Sequence, residues 1–502
     1  MKTNILDYMS NSYNTVPEKI AFSNGTESLT FREVKERCDA IGTYVASEEI
    51  YQKPIFVFMA KHPATVTAFF GVVKSGNFYV PLDVEMKPLR LKQIIESLEV
   101  PLMICDEEAS EMALKLGYKG KMVKYDDIIQ TEADTAKLDE ITMRAIDTDP
   151  IYIVFTSGST GVPKGVVANH RSVIDYIEQL SETLEFDQDT IFGNQTPLYF
   201  DACLKEIYPT LKFGATTYLI PGELFKQPVK LIEYLNEFQI NTICWVVTAM
   251  TMVSAYDTFD TVTPMYLRSV NFGSEVFPVR ELHKWQAVLP EARFVNLYGP
   301  TECTGMCCYY KITGPISEDG IIPIGRPFKN TEIIILTNKN QKAGVNERGE
   351  ICVRGASLTM GYYRDFARTH DVFIQNPLNI YYPEYIYRTG DIGYINEAGE
   401  LIFCSRKDYQ IKRMGYRVEL GEIEACCYLL PEVEIACCIY DKENSRIRLF
   451  ISGDINLALV VFKINNMLPR YMKPNTITLM DEGFPLTANG KIDREALLSY
   501  PK

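Results

Sequence analysis

The 502-residue chain lacks long apolar runs and has only four histidines. No apolar stretch approaches the roughly 20 residues that a membrane-spanning helix requires. The first residues, MKTNILDYMSNSYN, have neither the apolar core nor the small-residue cleavage site of a secretory signal. We therefore expect a cytoplasmic protein that has no membrane partner.

An excess of basic residues is also lacking, because the formal net charge is -14. Nucleic-acid binding requires a basic surface that meets the phosphates. We therefore exclude nucleic acid as a main partner.

Thirteen cysteines are present, but none of them forms the paired C-x-x-C pattern of a zinc site. Most are isolated or adjacent, as in Cys307-Cys308, Cys426-Cys427 and Cys437-Cys438. We predict free thiols that are buried or partly buried, as suits a reducing compartment.

Short apolar runs alternate with amphipathic stretches in the N-terminal part. PIFVFM (54–59) and PLMICD (101–106) are typical of strands, and HPATVTAFFGVVKSG (62–76) of a helix that ends at glycine. This βα alternation predicts an α/β fold with parallel-type sheets covered by helices. Because single cores rarely exceed about 250–300 residues, we expect two or more structural units.

The texture of the sequence changes after about residue 320, where short strands separated by turn residues predict a β-rich subdomain. We assign residues 1–407 to a large N-terminal domain that includes it. The charged run RKDYQIKRMGYRVELGEIE (406–424) and a compact tail then predict a small, mobile α+β C-terminal domain over 408–502. We place the hinge at Asp408.

The stretch TSGSTGVPKG follows an apolar run and offers hydroxyls, glycines and one lysine. Closely spaced backbone N–H groups in such a loop can bind phosphates, and glycine permits a close approach. The spacing is not that of a Walker loop. Taken alone, the stretch is either a phosphate loop or a plain turn.

Its context favours the phosphate loop, because the stretch resembles that of the adenylate-forming superfamily. This superfamily comprises acyl-CoA synthetases, luciferases and the adenylation domains of nonribosomal peptide synthetases. Eight further segments resemble its motifs in the expected order: LTFREV (29–34), GNFYVPLD (76–83), YFDACLKE (199–206), NLYGPTE (296–302), GEICVRGASLTMGYY (349–363), YRTGD (387–391), RKDYQIKRMGYRVELGEIE (406–424) and NGKIDREAL (489–497).

The resemblance implies an AMP-forming ligase that uses ATP and Mg²⁺. A carboxylate first attacks the α-phosphate of ATP, which gives an acyl-adenylate and pyrophosphate, and a thiol then displaces AMP. Lys491 matches the lysine that bridges the carboxylate and the α-phosphate. Lys164 matches a mobile charge on the β/γ-phosphates, Thr301 an α-phosphate contact, and Glu302 the Mg²⁺ ligand.

In the same comparison, Tyr298 stacks on adenine, Asn296 bonds its edge and Asp391 accepts the ribose hydroxyls. The full set of implied ATP-binding positions is Thr156, Ser157, Gly158, Ser159, Thr160, Gly161, Asn296, Tyr298, Gly299, Asp391 and Arg406.

Asp201 in YFDACLKE matches the aspartate that pairs with the α-ammonium of an amino acid, so the resemblance favours an amino acid substrate. Further substrate-pocket positions implied by similarity are Ala202, Lys205, Cys244, Val270, Phe272, Gly273, Leu297, Gly305 and Met306. Lys205 either pairs with an acceptor on the substrate side chain or extends to the surface. Phe272 stands where a small residue is common, so we expect it to narrow the pocket.

The C-terminal domain of this superfamily swings between the two steps, and Lys412 and Gly415 match the face that meets the incoming thiol. Basic residues of the same run, Lys407, Lys412, Arg413 and Arg417, either steer an acidic carrier or are solvated charges. No carrier motif is visible in the chain, so we expect a monomer that acts on a separate carrier protein with a phosphopantetheine arm.

The leading hypothesis is therefore a stand-alone amino acid adenylation enzyme of the type used in nonribosomal peptide synthesis. A D-alanine–carrier protein ligase for teichoic acid is a close alternative, although Phe272 argues against D-alanine. Acyl- or aryl-CoA ligation is another alternative. A noncatalytic carrier-binding scaffold is an alternative of a different class.

Overall fold

Buried strands form wherever the N-terminal part has short apolar runs. The computed structural model describes residues 2–157, 163–255, 258–318, 320–407, 410–442, 444–480, 483–485 and 492–500. Strands Pro54–Phe58 and Phe78–Leu82 are buried at every residue. Parallel strands with helices on both faces require such continuous apolar sequence.

Two large sheets make up most of the first 330 residues. The six-stranded sheet runs, from edge to edge, Lys121–Lys124, Leu102–Cys105, Pro54–Phe58, Phe78–Leu82, Pro150–Thr156 and Lys164–Asn169. The nine-stranded sheet runs Arg326–Pro327, Cys308–Lys311, Arg293–Tyr298, Ser269–Gly273, Thr242–Val246, Ile191–Asn194, Thr216–Leu219, Ile20–Ser23 and Ser28–Thr30. The central pairs of both sheets are parallel.

A third, antiparallel sheet follows, where the turn-rich texture predicts β structure. Strand Tyr385–Ile395 pairs with Gly349–Gly355, Phe373–Gln375 and Leu401–Arg406, and Thr331–Leu336 lies at the edge beside Gly349–Gly355. Strand Tyr385–Ile395 thereby carries Asp391 towards the nine-stranded sheet, where it meets Tyr298.

The last part of the chain begins with a two-stranded hairpin, Gln410–Arg413 and Tyr416–Glu419, which we call the cleft hairpin. Beyond it lies a three-stranded sheet of Ile435–Asp441, Arg446–Ser452 and Thr476–Leu479. Buried residues between Ile411 and Met472 form a hydrophobic cluster of their own.

Helices cover the faces of the sheets. Thr30 begins one of them with a reciprocal capping box to Glu33, which satisfies two free backbone donors. The helices are Leu6–Thr15, Phe31–Ser47, Pro63–Lys74, Pro88–Ser97, Glu107–Lys115, Tyr125–Ile128, Thr135–Arg144, His170–Leu184, Leu204–Phe213, Pro228–Glu237, Val247–Ala255, Val279–Val288, Phe366–Val372, Leu420–Cys427, Leu457–Met467 and Arg494–Leu498.

The cysteines are free thiols, as the sequence predicts. Twelve of the thirteen are buried, and Cys404 is half-buried. Across the described residues, none of the helices has the length and apolar character needed to cross a bilayer.

Candidate active site

The carboxyl ends of three parallel strands open into a cleft. Strands Thr242–Val246, Ser269–Gly273 and Arg293–Tyr298 end at one wall, and the cleft hairpin forms the opposite wall. The cleft encloses about 940 Å³, part of it open to solvent. Such a crevice is the usual ligand site of an α/β sheet. The predicted site residues that line it are Thr156, Ser157, Asp201, Ala202, Gly299, Thr301, Met306, Asp391, Arg406, Lys412 and Gly415.

Asp391 is the centre of the predicted nucleoside end. The Tyr298 hydroxyl donates to Asp391 Oδ2 at 2.5 Å, and Arg406 Nη1 donates to Asp391 Oδ1 at 2.7 Å. The Asn296 amide is used by the backbone instead, because its Nδ2 donates to the Pro323 carbonyl at 2.8 Å. Asp391 is therefore held in one orientation by two neighbours from different parts of the chain.

Lys412 of the cleft hairpin reaches this end of the cleft. Its Nζ lies 5.4 Å from the centre of the Tyr298 ring, within range of a cation–π contact. Burial lowers the pKa of Lys412, and the charge of Asp391 opposes that shift. The ring expected to stack on adenine thus has a cation from the hairpin close to it.

Glu302 lies in the short turn Thr301–Cys303 and is fully buried. Arg417 Nη1 donates to both carboxylate oxygens, at 2.8 and 3.1 Å, and Tyr362 donates at 2.7 Å. Lys164 Nζ lies 3.3 Å from the same carboxylate. Burial raises the pKa of Glu302, but Arg417 and then Lys164 outweigh it and hold the pKa below its usual range. The carboxylate is therefore a buried anion that two cations neutralise.

The phosphate-loop segment also meets the cleft hairpin. Ser157 Oγ donates to the Arg417 carbonyl at 2.6 Å, and the neighbouring Thr156 hydroxyl is buried without a partner. Burial lowers the pKa of Lys164 to about 8. Of the other predicted site residues, Gly158, Ser159, Thr160, Gly161, Asp408 and Lys491 lie outside the described residues.

Asp201 stands at the wall of the cleft opposite the hairpin, in the turn Asp201–Cys203 that precedes helix Leu204–Phe213. Burial raises its pKa, and a hydrogen bond from Thr301 and the charge of Lys205 oppose the rise. Asp201 therefore lies between the phosphate end and the predicted substrate pocket.

Apolar side chains form the floor beside Asp201. Cys244, Leu297, Met306 and Tyr176 belong to one hydrophobic cluster. A Cβ on Gly305 would lie 2.7 Å from the Tyr176 ring, so only glycine fits there. A Cβ on Gly273 would likewise lie 2.3 Å from the Leu297 carbonyl oxygen.

The structure does not bring Val270 and Phe272 to this floor. Both side chains pack with Trp245 in a second hydrophobic cluster, and the Phe272 ring meets Phe277 edge-on at 4.8 Å. Successive strand residues point to opposite faces of a sheet, so Asn271 between them faces the floor beside Cys244. The expectation that Phe272 narrows the pocket is therefore corrected, and its argument against D-alanine disappears.

The turn of the cleft hairpin enters beside strand Thr242–Val246. Gly415 has φ +78°, and a Cβ there would lie 2.4 Å from Val246 Cγ1. Tyr416 stacks on Tyr471 at 3.8 Å and meets the Phe200 ring at 4.8 Å. Glycine at this turn thus permits a backbone approach that any side chain would block.

Two contacts of the cleft hairpin are absent from the sequence prediction. Arg417, considered there for carrier steering, lies with its head group on Glu302. Arg90 Nη1 lies 3.0 Å from Glu422 Oε1, just beyond the hairpin. Each pair joins residues more than one hundred positions apart, so sequence spacing gave no signal for either.

Comparison with known proteins assigns the family. A family model described as AMP-binding enzyme matches residues 10–363. The chain belongs to this family. This confirms the adenylate-forming resemblance, and the strand and helix order confirms the predicted α/β fold class.

Relatives of this AMP-binding enzyme include a D-alanine--D-alanyl carrier protein ligase of Bacillus licheniformis, 29% identical over 96% of this chain and 96% of the relative. A mycosubtilin synthase of Bacillus subtilis is 28% identical over 97% of this chain, which spans 19% of that relative. Among solved structures, o-succinylbenzoate CoA synthetase of Bacillus subtilis has a TM-score of 0.83 at 17% identity, over 99% of both chains. The structure of IdnL1 has a TM-score of 0.80 at 22% identity, over 96% of this chain and 99% of that one.

Proposed function

We propose that this AMP-binding enzyme activates an amino acid with ATP, releases pyrophosphate, and transfers the aminoacyl group to the phosphopantetheine thiol of a separate carrier protein. One observation carries the proposal: Asp201 and Asp391 line the same cleft. A single substrate pair, an amino acid at Asp201 and a nucleotide ribose at Asp391, can thus meet between them.

In the first step an anionic carboxylate approaches an anionic phosphate, so catalysis depends on position and on neutralising charge. Thr301, Lys164 and the phosphate loop would hold the phosphates. Lys491 would bridge the substrate carboxylate and the α-phosphate in this proposal. No protein nucleophile is needed for such a step.

Glu302 would hold Mg²⁺ together with phosphate oxygens. Its chemistry fits, because Mg²⁺ often takes one or two carboxylates and completes its shell with phosphate and water. A fully buried carboxylate that two cations neutralise is suited to positive charge. When bound, the ion would neutralise charge on the phosphates, and Arg417 would have to leave Glu302 for it to bind.

The cleft hairpin supports a second arrangement of the same cleft for the thiol step. Lys412 and Gly415, the residues expected beside the incoming thiol, already line the cleft, and Arg417 holds Glu302. We infer that Glu302 serves the two steps in turn, with a metal in the first and with Arg417 in the second.

A D-alanine–carrier protein ligase is the second candidate, and the Bacillus licheniformis relative favours it because the two chains match over 96% of each. Acyl- or aryl-CoA ligation is the remaining enzymatic alternative. A noncatalytic scaffold is disfavoured because the described ATP-site residues lie together in one cleft.

Substrate-dependent ATP–pyrophosphate exchange tests the proposal. The panel contains L- and D-amino acids, aryl acids and fatty acids. We expect exchange with amino acids, and we expect Asp201→Ala to reduce it by about 100-fold because the α-ammonium loses a charged partner. Asp139→Ala, at an exposed helix position, is the matched control. Exchange with non-amino acids alone would contradict the proposal.

A further inference from the structure

Lys205 is a buried cation that has no partner within the described part of the chain. Its side chain belongs to a residue that is only 2% exposed, so it does not extend to the surface. It begins helix Leu204–Phe213, four positions after Asp201. Residues four apart lie on the same helical face, about 6 Å apart along the axis. Lys205 therefore lies one turn deeper than Asp201.

The nearby acidic group does not neutralise Lys205. Glu206 is fully buried, and burial raises its pKa to about 8, against the opposing charges of Lys205 and Lys61. Glu206 is therefore largely uncharged at neutral pH. Its Oε2 accepts from Asn194 Nδ2 at 3.3 Å, and its Oε1 is buried without a hydrogen-bond partner.

The other buried lysine near this floor is different, because it is fully bonded. Lys61 Nζ donates to the backbone carbonyls of Asn194, Gln195 and Ile220 at 3.0, 3.0 and 3.1 Å. Lys61 thus joins the ends of two strands, and it shows how the chain satisfies a buried ammonium when the role is structural. Lys205 has no such set of carbonyls.

Polar oxygens on the same side of the sheet also lack donors. Asn271 places its Nδ2 3.2 Å from the Ile243 carbonyl, yet its Oδ1 has no partner, and Asn194 Oδ1 has none either. The surrounding floor is apolar, formed by Cys244, Leu297 and Met306. An unpaired buried charge in such surroundings is costly unless a ligand completes it.

We propose that Lys205 selects an amino acid whose side chain ends in an oxygen acceptor, a carboxylate or a carboxamide. The inference rests on the proposed function, because an α-ammonium at Asp201 directs the substrate side chain towards Lys205. Separation by one helical turn suits a side chain of a few bonds. A carboxylate would neutralise Lys205, and a carboxamide would in addition donate to the unpaired oxygens.

The test compares exchange rates for aspartate, asparagine, glutamate and glutamine with those for alanine, leucine and phenylalanine. Wild-type protein is expected to prefer the oxygen-bearing group by at least about 100-fold in kcat/KM, because a site built for a hydrogen bond rejects substrates that lack it. The aspartate–asparagine and glutamate–glutamine pairs distinguish the carboxylate from the carboxamide, and preference for either one supports the inference.

Lys205→Met keeps an unbranched side chain while it removes the charge. We expect it to lower kcat/KM for the preferred substrates by about 100-fold and to leave leucine unchanged or improved, a change of specificity that mere loss of packing does not produce. Lys230→Met, at an exposed helix position, is the matched control. Circular dichroism establishes that each variant is folded, and the wild-type panel tests the inference should Lys205→Met not fold.

The outcomes separate the two proposals. If no amino acid supports exchange, the proposed function fails and the inference fails with it. If aliphatic or aromatic amino acids are preferred by the wild type, or if Lys205→Met leaves the preference unchanged, the inference is overturned while amino acid activation stands.

Discussion

The two halves of the cleft treat buried charge in opposite ways. At the phosphate half, the Glu302 anion is bonded by Arg417, Lys164 and Tyr362. At the substrate half, the Lys205 cation has no partner among the residues that the structure describes. The chain itself completes the first half by inserting the cleft hairpin. The second half awaits a group that the chain does not supply.

This difference suggests how one cleft serves two steps. A charge that the protein can satisfy itself is suited to a contact that forms and breaks as the hairpin moves. A charge that it leaves unpaired is suited to choosing a substrate, because a ligand without the matching group leaves it buried and unpaired. Breaking the filled half should therefore affect stability and the thiol step, whereas changing the open half should affect specificity.

The largest effect is expected for Glu302→Gln. The change leaves Arg417 and Lys164 buried beside a neutral amide, so the free energy of unfolding should fall by about 3–5 kcal/mol. Denaturant unfolding of the ligand-free protein measures it. Glu182→Gln removes an exposed pair with Lys329 and should cost under about 0.5 kcal/mol. Equal losses in the two variants would contradict the neutralised charge at Glu302.

A smaller effect is expected for Arg417→Met, which removes the contact of the hairpin while Lys164 remains. The loss of a charged hydrogen bond of about 2 kcal/mol should slow transfer to a phosphopantetheine thiol by about 30-fold, with exchange preserved. Single-turnover transfer and exchange measure the two steps separately.

The control for that variant lies on the same hairpin. Arg413 contacts the Lys473 carbonyl and Asn475, both within the C-terminal part, so Arg413→Met should leave the ratio of the two steps unchanged. Parallel loss of exchange and transfer in Arg417→Met would show that Arg417 does not act in the thiol step alone.

The smallest effect is expected for Gly415→Ala. The added Cβ meets Val246 and must adopt a positive φ, a strain of about 1–2 kcal/mol that should slow transfer by about 10-fold. Gly399 has a φ of +73° but no atom within 4 Å of a built Cβ, so Gly399→Ala isolates the cost of the backbone strain. Val246→Ala should partly restore transfer in Gly415→Ala, and a failure to do so would place the strain elsewhere.

Much of the fold followed from the sequence because its signals are local. The strand Pro54–Phe58 and the helix Pro63–Lys74 lie where apolar runs and a terminal glycine predict them. The family motifs likewise gave Asp201, Asp391 and Gly415, all of which line one cleft. Local pattern and motif order were sufficient for these residues.

The rest of the site depends on facts that a linear sequence does not carry. Phe272 was assigned to the pocket, but a shift of one position along a strand exchanges the two faces of the sheet, and Asn271 faces the floor instead. The bond between Arg417 and Glu302 joins residues 115 positions apart. Whether Lys205 was buried or surface-exposed was left open by its sequence, because both positions are compatible with the same helical pattern.

The central claim, that the cleft recognises an amino acid, is tested most directly by a matched pair of substrates. The most active amino acid is compared in ATP–pyrophosphate exchange with the same acid lacking its amino group, in the wild type and in Asp201→Ala. We expect the wild type to favour the amino acid by about 100-fold and the variant to lose that preference. Equal exchange with both acids in the wild type would contradict the account.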